Sequence, residues 1–304
     1  MKLFIGLAFV VLALVTLAEP SPAELPPLIP RETLLGNPDR MRPTISPDGK
    51  MLAWLAPDSK GVLQVWVQTL GKQDARAVTA DRRRGIWIYG WAWDPNTILF
   101  GQDSDGDESW HTFAVDLTSG NIRDLTPWQG VHNELVAANP KFPDEILVAM
   151  NVRDRKRMDV YRVNISGAVK LDTPNPGDVN SWLADDNLVI RGASAGTPQG
   201  GTEVRVRDNT GSPWRVVIKT DRVNEAGALD FSKDGKSIFL ISSVGADTNR
   251  VINHDLSTGA ETVLAQRDDS DVDETVVHPT RHTVQAAASH PTESGASSRS
   301  FGSG

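Results

Sequence analysis

The chain of 304 residues contains no cysteine. This excludes disulfide bonds, a cysteine nucleophile, iron–sulfur clusters, cysteine-ligated zinc and a lipoprotein anchor on cysteine. An excess of positive charge is also missing, because 31 Lys and Arg stand against 39 Asp and Glu, giving a formal net charge of −8. A domain that binds nucleic acid normally has a basic face, so we expect no nucleic-acid partner.

Long apolar runs are missing after the first residues of the chain. The one such run, Leu3 to Leu17, follows the positive Lys2 and precedes small residues that suit cleavage. It is shorter than the roughly 20 residues that cross a bilayer. We therefore predict a signal peptide over residues 1–23 and a linker over 24–39, with a retained membrane anchor as the alternative. Cleavage would leave no membrane span and a periplasmic or secreted protein.

Long helical periodicity is missing as well, and a turn rich in Pro, Asp, Asn and Gly recurs instead, roughly every 46 residues. Each turn, as in Ser46-Pro47-Asp48-Gly49, precedes an apolar run, a polar loop and an alternating segment such as Gln64–Gln68. Alternation with period two indicates a half-buried strand. The turns are centred at positions 47, 95, 140, 186, 233 and 279.

Four short strands in each repeat predict an all-β fold, a β-propeller of four-stranded antiparallel blades. The period lies between the two propeller repeats of comparable size, the WD40 type at roughly 40–45 residues and a longer type at roughly 50. A β-helix needs a shorter period and a sandwich needs none. The pattern predicts five complete repeats and a partial sixth over residues 40–286. We expect residues 287–304 to be a disordered or unrelated tail, because Phe301 is their one large apolar side chain.

The repeats resemble the N-terminal propeller domain of the prolyl oligopeptidase superfamily, the S9-type serine peptidases that include acylaminoacyl and dipeptidyl peptidases. The resemblance covers nearly all of residues 28–286. The stretches with the strongest resemblance are SPDGKMLAW at 46–54, DSDGDESWHTFAVDLTSGNIRDLTP at 103–127, NPKFPDEILVAMNVRD at 139–154, GGTEVRVRD at 200–208 and HPTRHTVQA at 278–286.

The resemblance implies a propeller that filters substrates by size above an α/β-hydrolase domain with a Ser–Asp–His triad, and proteolysis of short peptides. The similarity stops near residue 287, before any hydrolase segment, so we expect this chain alone to be inactive and to contact peptide substrates only as part of a larger enzyme. The alternative is a stand-alone periplasmic propeller of the TolB type that binds a protein or peptide partner.

One sequence motif matches the pattern around a catalytic serine. Gly192-Ala193-Ser194-Ala195-Gly196 matches G-x-S-x-G, the nucleophile elbow, which requires a strand before it and a helix after it. Residues 197–201 read TPQGG and are not helical by composition, so we reject Ser194 as a nucleophile and expect it in a hairpin loop. No catalytic residue is predicted.

No metal or cofactor site is predicted either. The acidic loop Asp103–Glu108 lacks the Gly and Glu positions of a calcium-binding EF-hand loop. His278 and His282 are four residues apart, but Pro279 opposes the helix that would align them. The basic runs 82–84 and 153–157 are expected to be solvated loops, with binding of a peptide carboxylate by an arginine as the alternative.

Overall fold

The computed structural model describes residues 28–36, 38–103, 106–290 and 299–300. Contacts divide the chain into two units, residues 1–37 and residues 38–304. In the first unit, Arg31–Leu35 form a short helix, α1, inside the predicted linker. The predicted signal peptide, residues 1–23, lies outside the described residues. No helix in the described part of the chain has the length and apolar character needed to cross a membrane.

The described residues of the second unit form six antiparallel sheets, which we call blades 1 to 6. Blades 1 to 5 each have four strands in chain order, and blade 6 has three. This confirms the predicted all-β propeller. The strands are β1 (Met41–Ile45), β2 (Met51–Pro57), β3 (Leu63–Thr69), β4 (Arg76–Ala77), β5 (Ile88–Trp91), β6 (Thr97–Gln102), β7 (His111–Asp116), β8 (Ile122–Asp124), β9 (Asn133–Ala138), β10 (Glu145–Asp154), β11 (Arg157–Asn164), β12 (Val169–Thr173), β13 (Val179–Ala184), β14 (Ile190–Gly196), β15 (Thr202–Val206), β16 (Arg215–Lys219), β17 (Ala226–Phe231), β18 (Ser237–Ser242), β19 (Arg250–Asp255), β20 (Glu261–Ala265), β21 (Glu274–Val277), β22 (Val284–Ala288) and β23 (Arg299–Ser300).

The recurring turn joins the first and second strands of a blade. In blade 1, Ser46 Oγ donates to Asp48 Oδ1 at 2.7 Å and accepts from the backbone N–H of Met51 at 2.9 Å. Gly49 has a φ of 71°, in the left-handed region that glycine adopts without strain. These bonds fix the direction of the strand that follows, which explains why the same residue types recur.

The core lies between neighbouring blades. Leu55 and Val65 of blade 1 pack with Ile98 and Val115 of blade 2, and all four are buried. A single four-stranded sheet leaves both faces open, and radial stacking covers them. Burial of apolar surface at these junctions is therefore the main stabilising contribution, roughly 25 cal/mol for each Å² removed from water.

In blades 3, 4 and 5 the first strands lie close to one another, as expected of the innermost strands of a propeller. β9, β13 and β17, the first strands of blades 3, 4 and 5, approach one another in sequence. Radial stacking brings strands closest together near the axis, so side chains exposed on first strands face the inside of the propeller.

Blade 6 extends beyond the predicted boundary at residue 286. β22 continues to Ala288, and Arg299 and Ser300 of β23 pair with Ala287 and Ala286. No Pro or Gly interrupts Ala286–Ala288, so the ladder with β21 continues through these small residues. Residues 291–298 and 301–304 lie outside the described residues.

Candidate functional site

A carboxylate in the turn of blade 4, Asp186, joins the turns of two neighbouring blades. Its side chain is 5% exposed and forms ion pairs with Lys141 of blade 3 and Lys233 of blade 5, the latter at 2.8 Å. Asn139 Nδ2, also in blade 3, donates to Asp186 Oδ1 at 3.2 Å. We call Asn139, Lys141, Asp186, Asp230, Lys233 and His282 the turn network.

His282 connects blade 6 to the same network. Its Nε2 lies 3.0 Å from Asp186 Oδ1, and its Nδ1 lies 2.8 Å from Asp230 Oδ2. The residue is buried and has a φ of 50°, which is uncommon for a residue other than glycine. The network therefore bridges blades 3, 4, 5 and 6 through single side chains.

The two carboxylates of the turn network have opposite electrostatic environments. Burial opposes ionisation of Asp186, but hydrogen bonds from Lys141, Lys233 and Asn139 outweigh it and hold the pKa of Asp186 well below its usual range. Burial raises the pKa of Asp230, although neighbouring His282 acts in the opposite direction. Asp186 is thus the permanent negative charge that binds the two lysines.

A second candidate site is a cavity of about 440 Å³ between blades 2 and 3. Most of its surface is apolar. It is lined by Ile88, Tyr89, Gly90, Trp91, Leu99, Phe100, Gly101, Trp110, His111, Thr112, Asn133, Glu134, Leu135 and Ala138. Eight of these residues belong to β5 and β9, the first strands of their blades.

The polar groups of this cavity are mostly paired within the protein. Thr112 Oγ1 donates to Asn133 Oδ1 at 2.8 Å, and His111 Nδ1 lies 2.7 Å from Asp124 Oδ2. The Tyr89 hydroxyl is directed away from the cavity toward blade 1, where it accepts from Thr44 Oγ1 at 3.1 Å, and burial raises its pKa. Glu134 differs, because it is exposed and forms no ion pair with any described residue. The cavity therefore offers an apolar wall and one carboxylate without an ion-pair partner among the described residues.

Ser194 lies in strand β14, paired with Ser181 and Val204. The expectation that it lies in a hairpin loop is wrong. The turn is formed earlier, where the Leu188 N–H donates to the Asp185 carbonyl at 3.0 Å and Leu188 has a φ of 55°. All six imidazoles lie in the described residues, and none hydrogen-bonds Ser194. That Ser194 is not a nucleophile stays a prediction.

The two histidines at 278 and 282 have separate roles. His278 Nδ1 accepts backbone N–H groups of Thr280 and Arg281, each at 3.2 Å, and so closes its own turn. His282 belongs to the turn network. Within the described residues, no group of three or more His, Asp or Glu side chains is arranged to hold a metal ion.

The acidic and basic loops are held by local contacts. Asp103 lies 3.8 Å from Arg84, and residues 104–105 are outside the described residues. Arg153 forms a bidentate pair with buried Asp159, at 2.6 and 2.8 Å. Arg155 donates to the carbonyls of Gln129 and Gly130. The second basic run is thus partly structural rather than simply solvated.

The turn network was not predicted from the sequence. Its signal was present, because Asp186 is 47 residues from Asn139 and 47 from Lys233, close to one repeat in each direction. Equivalent positions in successive blades meet near the axis. Charged residues of opposite sign one repeat apart therefore predict ion pairs between blades.

Comparisons with known proteins agree with this architecture. The chain is 36% identical over 270 residues to dipeptidyl aminopeptidase BIII of Pseudoxanthomonas mexicana, a match over 86% of this chain and 38% of that relative. No family model matches. The chain thus spans well under half the length of this curated relative.

Solved structures show the same fold. Oligopeptidase B from Leishmania major superposes with a TM-score of 0.55 and 12% identity, over 82% of this chain and 38% of that one. The β-propeller domain of the Trilobed protease from Pyrococcus furiosus superposes with a TM-score of 0.54 and 14% identity, over 86% and 80%. Together with the sequence match, these similarities confirm the resemblance to the propeller part of prolyl oligopeptidase-type enzymes.

Proposed function

We propose that this propeller of the prolyl oligopeptidase superfamily is the substrate-gating part of an exported serine peptidase that hydrolyses short peptides. In this proposal, catalysis belongs to an α/β-hydrolase domain of the kind the resemblance implies, and this chain supplies no nucleophile. The propeller selects which polypeptides reach the catalytic residues.

The observation that best supports gating is that large apolar residues are exposed on the first strands. Ile45, Ile88, Leu135 and Val276 are all large apolar residues that remain exposed on first strands of blades 1, 2, 3 and 6. A structural role alone favours polar residues at such positions, whereas an extended peptide offers apolar side chains and backbone groups to contact them. In this proposal, the space between the first strands admits an extended chain and excludes a folded domain.

Binding by the purified chain tests this proposal. We expect blocked peptides of six to ten residues to bind, and folded proteins containing the same sequence in a helix or sheet not to bind. Isothermal titration calorimetry measures both. Equal binding of the folded proteins would favour the alternative of a stand-alone propeller that docks a protein partner.

Turnover measurements complete the test. We expect no hydrolysis of chromogenic aminoacyl or dipeptidyl substrates by this chain. Hydrolysis that disappears in Ser194→Ala and persists in Ser181→Ala, a neighbouring strand serine, would overturn the assignment of catalysis to another domain. Export is tested by the N-terminal sequence of the secreted protein, which we expect to begin near residue 24.

A further inference from the structure

We propose that the cavity between blades 2 and 3 binds a large apolar side chain of a peptide, and that Glu134 favours a basic residue next to that side chain. This inference rests on the proposed function, because it assigns a preference to the same peptide-binding propeller. It assigns the ligand by chemistry: an aromatic or long aliphatic side chain beside Lys or Arg.

The size and lining of the cavity point to this ligand. Its volume of about 440 Å³ lies within the range of sites that hold small ligands, roughly 300–1,000 Å³. Its apolar lining includes the side chains of Ile88, Leu99, Leu135 and Trp110. Tyr89 and Trp91 also border it, but their rings pack against blade 1. A large apolar side chain gains from burial against these residues, and an aromatic one also packs against the Trp110 ring in an offset or edge-to-face arrangement.

The absence of side chains at one position keeps the cavity open. Gly90 lies in β5 with a φ outside the left-handed region, and a Cβ built on it meets no atom within 4 Å. Backbone conformation and neighbouring atoms therefore leave room for a larger residue at this position. The hollow at Gly90 is available to a ligand instead.

The cavity is accessible from the inside of the propeller. Ile88 and Leu135, on the first strands β5 and β9, line it and are 56% and 52% exposed. A peptide passing along the first strands would thus meet the opening. An apolar side chain that enters removes both its own surface and these two side chains from water.

The negative charge of Glu134 specifies which peptide residue lies next to the inserted side chain. Glu134 lines the cavity next to Leu135, and its carboxylate has no ion-pair partner among the described residues. The His111–Asp124 pair close by is already satisfied at 2.7 Å. Arg42, which donates to the Trp87 carbonyl, is not part of the lining. A peptide cation therefore has one free carboxylate to approach.

The experiment uses the full chain and hexapeptides blocked at both ends, so that no terminal charge contributes. Three peptides differ only at the two central residues: Phe-Lys, Ala-Lys and Phe-Glu. Affinity is measured by calorimetry for the wild type and for Gly90→Ala, Gly90→Leu and Glu134→Gln. Glu274→Gln is the matched control, since Glu274 is also an exposed glutamate on a first strand.

We expect the Phe-Lys peptide to bind about tenfold more tightly than Ala-Lys, the size of effect typical of an apolar pocket. Gly90→Leu should abolish this difference, and Gly90→Ala should reduce it. Glu134→Gln should remove a preference of about two- to fivefold for Phe-Lys over Phe-Glu, while Glu274→Gln leaves it unchanged.

The outcomes separate this inference from the function it rests on. Peptides that bind the wild type without preference for Phe, or a preference that survives in a folded Gly90→Leu, would overturn the cavity assignment and leave gating intact. No binding of any peptide would overturn both. Should Gly90→Leu fail to fold, the comparison of Phe-Lys with Ala-Lys and the Gly90→Ala variant decide the outcome.

Discussion

The turns of blades 1 and 2 and the turns of blades 3 to 6 occupy equivalent positions in the repeat but use their polar side chains differently. In blade 2, Asp94 bonds Thr97 Oγ1 at 2.6 Å and the Asn96 N–H, all within its own turn. In blade 4, Asp186 bonds side chains of blades 3, 5 and 6. The same turn thus stabilises either one blade or the association of several.

The junctions between neighbouring blades also differ in how tightly they are packed. Between blades 2 and 3 a cavity remains, and Gly90 faces empty space. Between blades 4 and 5 the packing is tight, and a Cβ at Gly192 would lie 2.9 Å from Leu183 Cβ and 3.4 Å from Phe231 Cε2. The junction between blades 4 and 5 is thus closely packed, while the junction between blades 2 and 3 keeps a cavity.

Replacing Asp186 with Ala should cause the largest loss of unfolding free energy. The change leaves the ammonium groups of Lys141 and Lys233 without their shared carboxylate. Loss of one member of a buried pair costs about 3–5 kcal/mol, and because both lysines are half exposed we expect about 3 kcal/mol. Urea unfolding measures it.

The matched control is Asp94→Ala, which removes only bonds within one turn and should cost about 1 kcal/mol. Equal losses of unfolding free energy in the two variants would contradict the assignment of a special role to the turn network. A loss in Asp186→Ala that is restored by also replacing both lysines with Met would support it.

Gly192→Ala should have the next largest effect. The added methyl group would overlap Leu183, and overpacking of a tight core costs roughly 1–3 kcal/mol. Gly90→Ala, in a first strand and without close neighbours, should change stability by less than about 0.5 kcal/mol. Thermal unfolding of the two variants in parallel checks the contrast, and similar melting temperatures would show that the two junctions are packed alike.

The smallest expected effect is the change with pH in the stability that Asp186 contributes. Because the pKa of Asp186 is lowered in the folded state, its contribution to stability is present at neutral pH and is lost as pH falls below the ordinary range of aspartate. The gap in unfolding free energy between wild type and Asp186→Asn should therefore shrink by on the order of 1 kcal/mol between pH 7 and pH 3.

Asp230 provides a control, because the stability that depends on it should change with pH in the opposite direction. Its pKa is raised in the folded state, so its ionisation disfavours folding and the wild type loses stability relative to Asp230→Asn as pH rises through that pKa. Guanidinium unfolding at several pH values measures both slopes. Slopes of the same sign for the two variants would contradict the electrostatic description of the network.

Much of the fold could be predicted from the sequence because it is specified by local signals. The Ser46–Gly49 turn forms through bonds within five residues, and the alternating segments correctly mark strands β3 and β7. In β7, however, stacking buries both Ala114 and Val115, which lie on opposite faces. Strand β14 was misplaced because Gly192, Ala193 and Ala195 are small and do not alternate with polar residues. Gly192 is buried against Leu183 and Phe231, and the two alanines are buried beside Trp182 and Trp214, which is a tertiary property.

The candidate sites were harder to predict for a related reason. His282 meets Asp186 across 96 residues, and the cavity exists only once β5 and β9 stand side by side. Neither arrangement leaves a contiguous motif. The local match around Ser194, in contrast, is a contiguous motif without the three-dimensional setting of a nucleophile elbow.

The central claim is that the first strands of this propeller admit short extended peptides. The most direct measurement is the affinity of the purified chain for one blocked hexapeptide, free in solution and then embedded in a rigid folded host. We predict binding of the free hexapeptide and no measurable binding of the folded host. Equal affinity for both, or none for either, would contradict it.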